Sequence, residues 1–205
     1  MPALSLLTLS ARTAAILVTP PGALYRLPAP LPWHLTRDGV TMREGVTEVA
    51  PVFLDDLEPG CDYLFFCAGE ELDFDTPACA GLVDARDHGV DPDAPDNAAA
   101  FARAIAATPE GGTLKVPPRR VLTGPVFLKP GITFWLPEGA ELAAIHDRDG
   151  WPILPARDAA GRVIGTWEGL PEPSFAALVT AIDCAGLKIT GSGTIDGGGD
   201  RGDWW

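Results

Sequence analysis

Gly131-Ile132-Thr133-Phe134-Trp135-Leu136-Pro137-Glu138-Gly139-Ala140-Glu141-Leu142 is echoed downstream by Gly186-Leu187-Lys188-Ile189-Thr190-Gly191-Ser192-Gly193-Thr194-Ile195-Asp196. One deletion aligns the glycines and the alternating apolar residues of the two segments. Short strands repeated along a chain, with Gly at each bend, are the signature of a solenoid of parallel β-coils, in which each coil buries its inward residues only against the next. Residues 113–116, 126–128, 132–136, 141–145, 187–190 and 194–196 read as its strands.

Working back towards the N-terminus, Pro95-Asp96-Asn97 precedes an alanine-rich run with Ala98, Phe101, Ala102 and Ile105 at i, i+3, i+4 and i+7. That spacing predicts a capped helix over about 97–107, stopped by Pro109 and Gly111-Gly112. Ahead of the first coil, a single amphipathic helix covers the open end of the hydrophobic stack. Between the two echoing segments, residues 146–173 are polar and Pro-rich and read as a long loop.

Composition shifts around Asp75-Thr76-Pro77-Ala78, dividing the chain into domains 1–78 and 79–205. Upstream, short apolar runs at 13–18, 32–36, 49–54 and 63–67 are separated by Pro and Gly, the pattern of a small antiparallel sandwich. Leu57-Glu58-Pro59-Gly60-Cys61-Asp62-Tyr63 has the form of a tyrosine corner, in which a Pro-Gly turn lets the Tyr hydroxyl bond an upstream backbone group. With this string, residues 1–78 resemble a fibronectin type III module, a spacer or docking unit. The expected fold class is all-β: a fibronectin-like β-sandwich, then the cap helix and first coils of a right-handed parallel β-helix.

The 205 residues carry 15 basic and 28 acidic side chains, a net charge of −13. The acidity is spread along the chain without a basic stripe, which argues against nucleic-acid and polybasic membrane partners. No apolar run approaches the roughly 18 residues of a spanning helix. The start, Met1 to Leu9, has the apolar look of a signal core, but its first positive charge, Arg12, follows that run rather than preceding it, the reverse of a secretory leader. Compartment and oligomeric state stay open. Cys61, Cys67, Cys79 and Cys184 match no zinc spacing and read as free thiols, so no metal or cofactor is expected.

From about Val83 onward the chain resembles the pectin-degrading polygalacturonases of glycoside hydrolase family 28, in their N-terminal portion. Three ordered motifs carry the likeness: Asp84-Ala85-Arg86-Asp87-His88-Gly89-Val90 with Asp93 and Asp96-Asn97; Gly112-Thr113-Leu114-Lys115-Val116-Pro117 with Leu122 to Lys129; and Ile189 to Gly197 with Trp204-Trp205. His88 and Arg119-Arg120-Val121 depart from the family pattern at positions read as structural. The resemblance implies inverting hydrolysis of α-1,4-galacturonosyl bonds without an obligatory metal, and polygalacturonate or a related uronate oligosaccharide as partner. A fibronectin-like module ahead of the β-helix is similar to bacterial exo-acting members.

The family's chemistry, as the resemblance implies it, rests on aspartates of N-T-D and D-D strings and on G-H and R-I-K strings beyond the T-I-D-G coil. These 205 residues contain no Asn-Thr-Asp and no Gly-His, and their one Asp-Asp, Asp55-Asp56, belongs to the sandwich. No catalytic residue is therefore assigned, and the expectation is a fragment, inactive and aggregation-prone by itself. Asp196, Asp200 and Asp203 cluster near the end, but Asp196 before Gly197 suits an Asx-type turn better than catalysis. His34, His88 and His146 are isolated, and Gly197-Gly198-Gly199 lacks the residues of a phosphate loop.

Within the long loop, Trp151, Arg157, Arg162, Trp167 and Glu168 invite a binding role. Trp167-Glu168-Gly169 resembles a W-E-G string of the family. Aromatic faces stack on sugar rings, and Arg pairs a carboxylate through two parallel hydrogen bonds. Trp167, Glu168 and Arg162 are the candidate substrate-binding residues, against the plainer expectation that loop tryptophans anchor the loop. Two alternatives stand beside the hydrolase: a non-catalytic carbohydrate-binding or adhesive β-helix, and a calcium-dependent lyase of the pectate lyase type, which needs a carboxylate cluster.

Overall fold

The computed structural model describes residues 3–20, 25–147 and 149–201. The chain divides into two compact units, Met1–Ala80 with Thr190–Ser192, and Gly81–Ile189 with Gly193–Trp205.

The first unit is an antiparallel sandwich. Its strands are β1 (Ala3–Leu9), β2 (Ala14–Thr19), β3 (Arg26–Arg37), β4 (Val40–Val49), β5 (Pro51–Leu54), β6 (Asp62–Cys67) and β7 (Glu70–Asp75). One sheet has the order β1-β2-β5 and the other β4-β3-β6-β7. Alternation sorts each strand between core and solvent: Tyr63, Phe65 and Cys67 of β6 point inward with Ile16, Val18, Leu35, Val52 and Leu54, while Asp62, Leu64 and Phe66 face out. Two-residue turns close the β3–β4 and β6–β7 hairpins, with Asp38-Gly39 and Ala68-Gly69 both at positive φ. The tyrosine corner is present, since the Glu58 amide donates to the Tyr63 hydroxyl at 2.9 Å. Sequence periodicity misses β1, β4 and β7. β1 and β4 are largely exposed, and the acidic β7 shows little apolar alternation.

The second unit is a parallel β-helix. Strands β8 (Leu82–Asp84), β9 (Thr113–Lys115), β10 (Arg120–Thr123), β11 (Val126–Phe127), β12 (Thr133–Trp135) and β13 (Glu141–Ala144) come first. After the inserted segment follow β18 (Val179–Thr180), β19 (Lys188–Thr190) and β20 (Thr194–Asp196). They stack as three sheets, β8-β9-β12-β19, β10-β13-β20 and β11-β18, with parallel pairing. Equivalent residues lie in columns: Val83, Leu114 and Phe134 on one face, and Val121, Leu142 and Ile195 on another. The internal echo is thus real. Gly186 sits on Gly131, where an added Cβ would lie 3.6 Å from the Gly131 Cα. The second segment is two residues shorter, because Ile195 pairs with Leu142.

Helix α1 (Ala98–Ala107) covers this core with Ala100, Phe101, Ala104 and Ile105, and Phe101 meets Phe134 edge-on at 6.3 Å. The face differs from the expected one: Ala98 and Ala102 are not in it. In an alanine-rich helix the apolar pattern leaves rotation uncertain by one residue, and the bulkier Phe101 and Ile105 decide it. Within the capping triplet, Asp96 accepts from the Ala98 amide (2.9 Å), while buried Asn97 accepts from the Asp91 amide and donates to the Asp91 and Leu122 carbonyls. His88 lies in a 3₁₀ turn and its backbone carbonyl accepts from Arg103, and Arg120 pairs with Glu141 across strands at 3.4 Å.

Candidate functional site

The stretch between β13 and β18, which contains the loop expected over 146–173, carries an antiparallel arm. Strand β14 (Ile153–Leu154) pairs with β17 (Ser174–Phe175), and β15 (Thr166–Trp167) with β16 (Leu170–Pro171). An isolated bridge joins Arg157 to Val163, and the Ile164 amide donates to Ala156. Two-residue strands carry too little alternation to be read from sequence.

Trp151 anchors the arm. Its indole is buried and donates from Nε1 to the Ala176 carbonyl at 2.6 Å, and the Ala176 amide returns a bond to Pro152. Trp167 does the opposite. It stands on the β15–β16 hairpin with 66% of its surface exposed, beside Leu170 at 65%. The hairpin turns through Glu168 (φ 48°) and Gly169 (φ 85°), which carries the exposed Glu168 at the tip. A flat aromatic face and an adjacent carboxylate share this surface, and groups of these kinds are able to stack on a ring and to accept hydrogen bonds from hydroxyls.

Arg162 lies outside that hairpin, in the turn below it. Its Nε donates to Asp158 Oδ2 at 2.7 Å and its Nη1 to Asp183 Oδ1 at 3.0 Å, with a further close bond from Nη2 to Asp183 Oδ2. The Arg162 amide also bonds Asp158. Hydrogen bonds from the backbone and guanidinium of Arg162 hold the Asp158 carboxyl below its usual range, and the two carboxylates push the Arg162 pKa upward, Asp183 most strongly. Asp158 and Arg162 have an i, i+4 spacing visible in sequence. Asp183 offers no such signal, because it reaches the cluster only through the fold. Arg157 donates to the Gly161 carbonyl and helps shape the same turn.

On the coil faces, the carboxylates are clasped. Asp196 accepts from the Gly198 amide at 2.9 Å, the expected Asx turn, and its other oxygen bonds Arg201, so its pKa is lowered chiefly by that guanidinium. Asp84 is held low in the same way by Arg86. Asp200 lies 3.2 Å from Arg201. Asp203, Trp204 and Trp205 lie outside the described residues. Among the described residues Cys61, Cys67 and Cys184 are thiols outside any disulfide, no group of His, Cys, Asp or Glu has the arrangement of a metal site, and no helix is long and apolar enough to cross a membrane.

Neither a protein-family model nor a curated protein matches the chain. Among solved structures, the family 28 exopolygalacturonase of Yersinia enterocolitica is similar with a TM-score of 0.60 over 97% of this chain, at 18% identity. The fold is polygalacturonase-like. The chain spans 41% of that enzyme's length. A hyperthermoactive exopolygalacturonase from Thermotoga maritima is similar over 57% of this chain and 24% of its own, at 31% identity and a TM-score of 0.46. The fn3 domain of the human collagen alpha-1(XX) chain is similar over 38% of this chain and 86% of its own, at 22% identity and a TM-score of 0.33.

Proposed function

We propose that this chain is the N-terminal part of a polygalacturonase-type glycosidase that hydrolyses α-1,4-galacturonosyl bonds of pectin. One observation carries the reading: the likeness to a family 28 exopolygalacturonase extends over 97% of the chain, sandwich and β-helix alike. In this reading the coils are scaffold and the Trp167–Gly169 hairpin is a sugar contact. The indole face of Trp167 stacks on a pyranose, and Glu168 accepts from its hydroxyls. The guanidinium of Arg162 already serves two carboxylates and enters as support of the hairpin.

Inverting hydrolysis needs a carboxylic acid and a carboxylate about 6.5–9.5 Å apart, with water between. Asp84 and Asp196 are unsuited to the acid's role, because the guanidinium paired with each lowers its pKa, and to serve as the base each would have to leave the arginine that engages it. The reading therefore assigns no catalytic residue to these 205 residues and places the acid and base on further coils of the complete protein.

The test is incubation with galacturonate oligomers, of this chain and of the protein extended by its natural coding sequence. New reducing ends from the extended protein support the hydrolase. Binding by both without turnover supports a carbohydrate-binding β-helix, and a calcium-dependent unsaturated product supports a lyase. The exposure of Trp167 and Leu170 suits binding without turnover equally well, so turnover by the extended protein decides.

A further inference from the structure

Two elements distant in sequence meet at Arg162. The turn at 158–162 belongs to the inserted arm, whereas Asp183 follows β18 on the body of the β-helix. The contact is a fork: Nη1 to Asp183 Oδ1 at 3.0 Å and Nη2 to Asp183 Oδ2, while Nε and the Arg162 amide hold Asp158. Paired parallel hydrogen bonds between guanidinium and carboxylate fix orientation as well as distance. Asp183 sits at φ 55°, a backbone region that Asp and Asn tolerate better than most residues, so its carboxylate is aimed by the turn itself.

The arm's other fastenings lie at its base, where Trp151 bonds Ala176 and β14 pairs with β17. Beyond them, residues 156–172 are held to each other by the Ile164–Ala156 and Glu172–Gly165 backbone bonds. Of the hydrogen bonds described for this stretch, those from Arg162 to Asp183 tie it to the coil. A single two-carboxylate clasp at the far side of an exposed arm is a latch.

We infer that Arg162 is a positioning residue that latches the Trp167 hairpin to the β-helix through Asp183, rather than a ligand for a substrate carboxylate. This deepens the proposed carbohydrate contact and rests on it for its functional meaning, but the latch is testable without sugar. A uronate binding Arg162 directly has to compete with Asp183 for the fork, and removing Asp183 then helps binding. If the guanidinium is a latch, removing Asp183 frees the hairpin instead.

The experiment uses the full 205-residue chain as wild type, Asp183→Asn, Arg162→Gln and the double variant. Asn keeps the left-handed turn at 183, so the fold is retained, and amide exchange at the core positions Leu114, Phe134 and Leu142 checks this. Expected is exchange about three- to tenfold faster at Ile164 and Glu172 in both single variants, with the core positions unchanged. The double variant is no faster than Arg162→Gln, because both changes break one interaction. Affinity for a galacturonate oligomer stays the same or falls in Asp183→Asn. Unchanged exchange at Ile164 and Glu172, or tighter oligomer binding by Asp183→Asn, overturns the latch. If wild type binds no oligomer, the sugar-contact reading fails, and exchange alone then decides for or against the latch.

Discussion

The Tyr63 hydroxyl lies 2.9 Å from the Glu58 amide nitrogen and accepts its hydrogen, closing the turn between Leu57 and β6. Glu58 is tied twice more, since Arg37 Nη1 is 2.7 Å from Glu58 Oε2 and Thr76 Oγ1 donates to the Glu58 carbonyl at 2.7 Å. Tyr63→Phe leaves the ring packed and the Glu58 amide without this partner. The expected cost is about 1–2 kcal/mol. Urea unfolding, with amide exchange of Phe65 as a local probe of the sandwich, checks it.

Gly193 has no positive φ to excuse it, yet it has no room for a side chain. An added Cβ would lie 2.8 Å from the Ala140 carbonyl oxygen and 2.8 Å from Leu136 Cβ. Gly193→Ala is expected to push the third coil away from the second and to destabilise the β-helix by about 1–3 kcal/mol. Thermal unfolding measures the loss, and amide exchange at Thr194, which bonds the Ala140 carbonyl at 2.8 Å, localises it.

Asn97 is 1% exposed and makes three hydrogen bonds, to the Asp91 amide and to the Asp91 and Leu122 carbonyls. It fastens the segment before α1 to β10. Asn97→Ala strands three polar groups and is expected to cost about 2–4 kcal/mol. Asp96→Ala, which removes the bonds to the Ala98 and Gly124 amides in a more exposed setting, should cost less. Equal losses for the two variants would contradict this ordering.

Asp84, Asp158 and Asp196 all have pKa values below the ordinary carboxylate range: Asp84 and Asp196 mainly through the side chains of Arg86 and Arg201, Asp158 first through the Arg162 amide. A carboxylate with a lowered folded pKa contributes stability that is complete above its unfolded value, near 4, and is lost as pH falls through the folded value. The β-helix should therefore lose melting temperature below about pH 4. The variant Asp84→Asn/Asp158→Asn/Asp196→Asn should show a shallower loss over the same interval, as measured by melting scans from neutral pH downward.

Trp167 is exposed, so Trp167→Ala is expected to change stability by less than about 0.5 kcal/mol. On the proposed sugar contact it weakens galacturonate-oligomer binding by about tenfold, the worth of one aromatic stack. Trp151→Ala should do the reverse first: it removes a buried indole and its bond to Ala176, and costs about 3–5 kcal/mol. Titration calorimetry beside thermal unfolding separates the two effects.

The repeat of Gly131–Leu142 in Gly186–Asp196, the helix ahead of it and the tyrosine corner were all legible in the residues, because each is a local pattern with a local physical cause. Periodicity shows which residues want burial, and turn residues show where the chain bends. Asp196 was legible too, since an Asx turn is made with a neighbour two residues away. What alternation could not show were strands too short or too exposed to have any, as in β4 and the arm at 153–175.

Sequence by itself determined that this chain is all-β, sandwich then stacked coils, because the energy of that choice is summed over many repeated apolar positions. Only the tertiary structure decided what the loop tryptophans and Arg162 do. Trp151 and Trp167 are the same residue type in one stretch of chain, yet one is buried against Ala176 and the other stands in solvent. Arg162 finds Asp183 across 21 residues. Such pairings depend on the path of the backbone between them, and no local pattern encodes a contact whose partner is brought in by the fold.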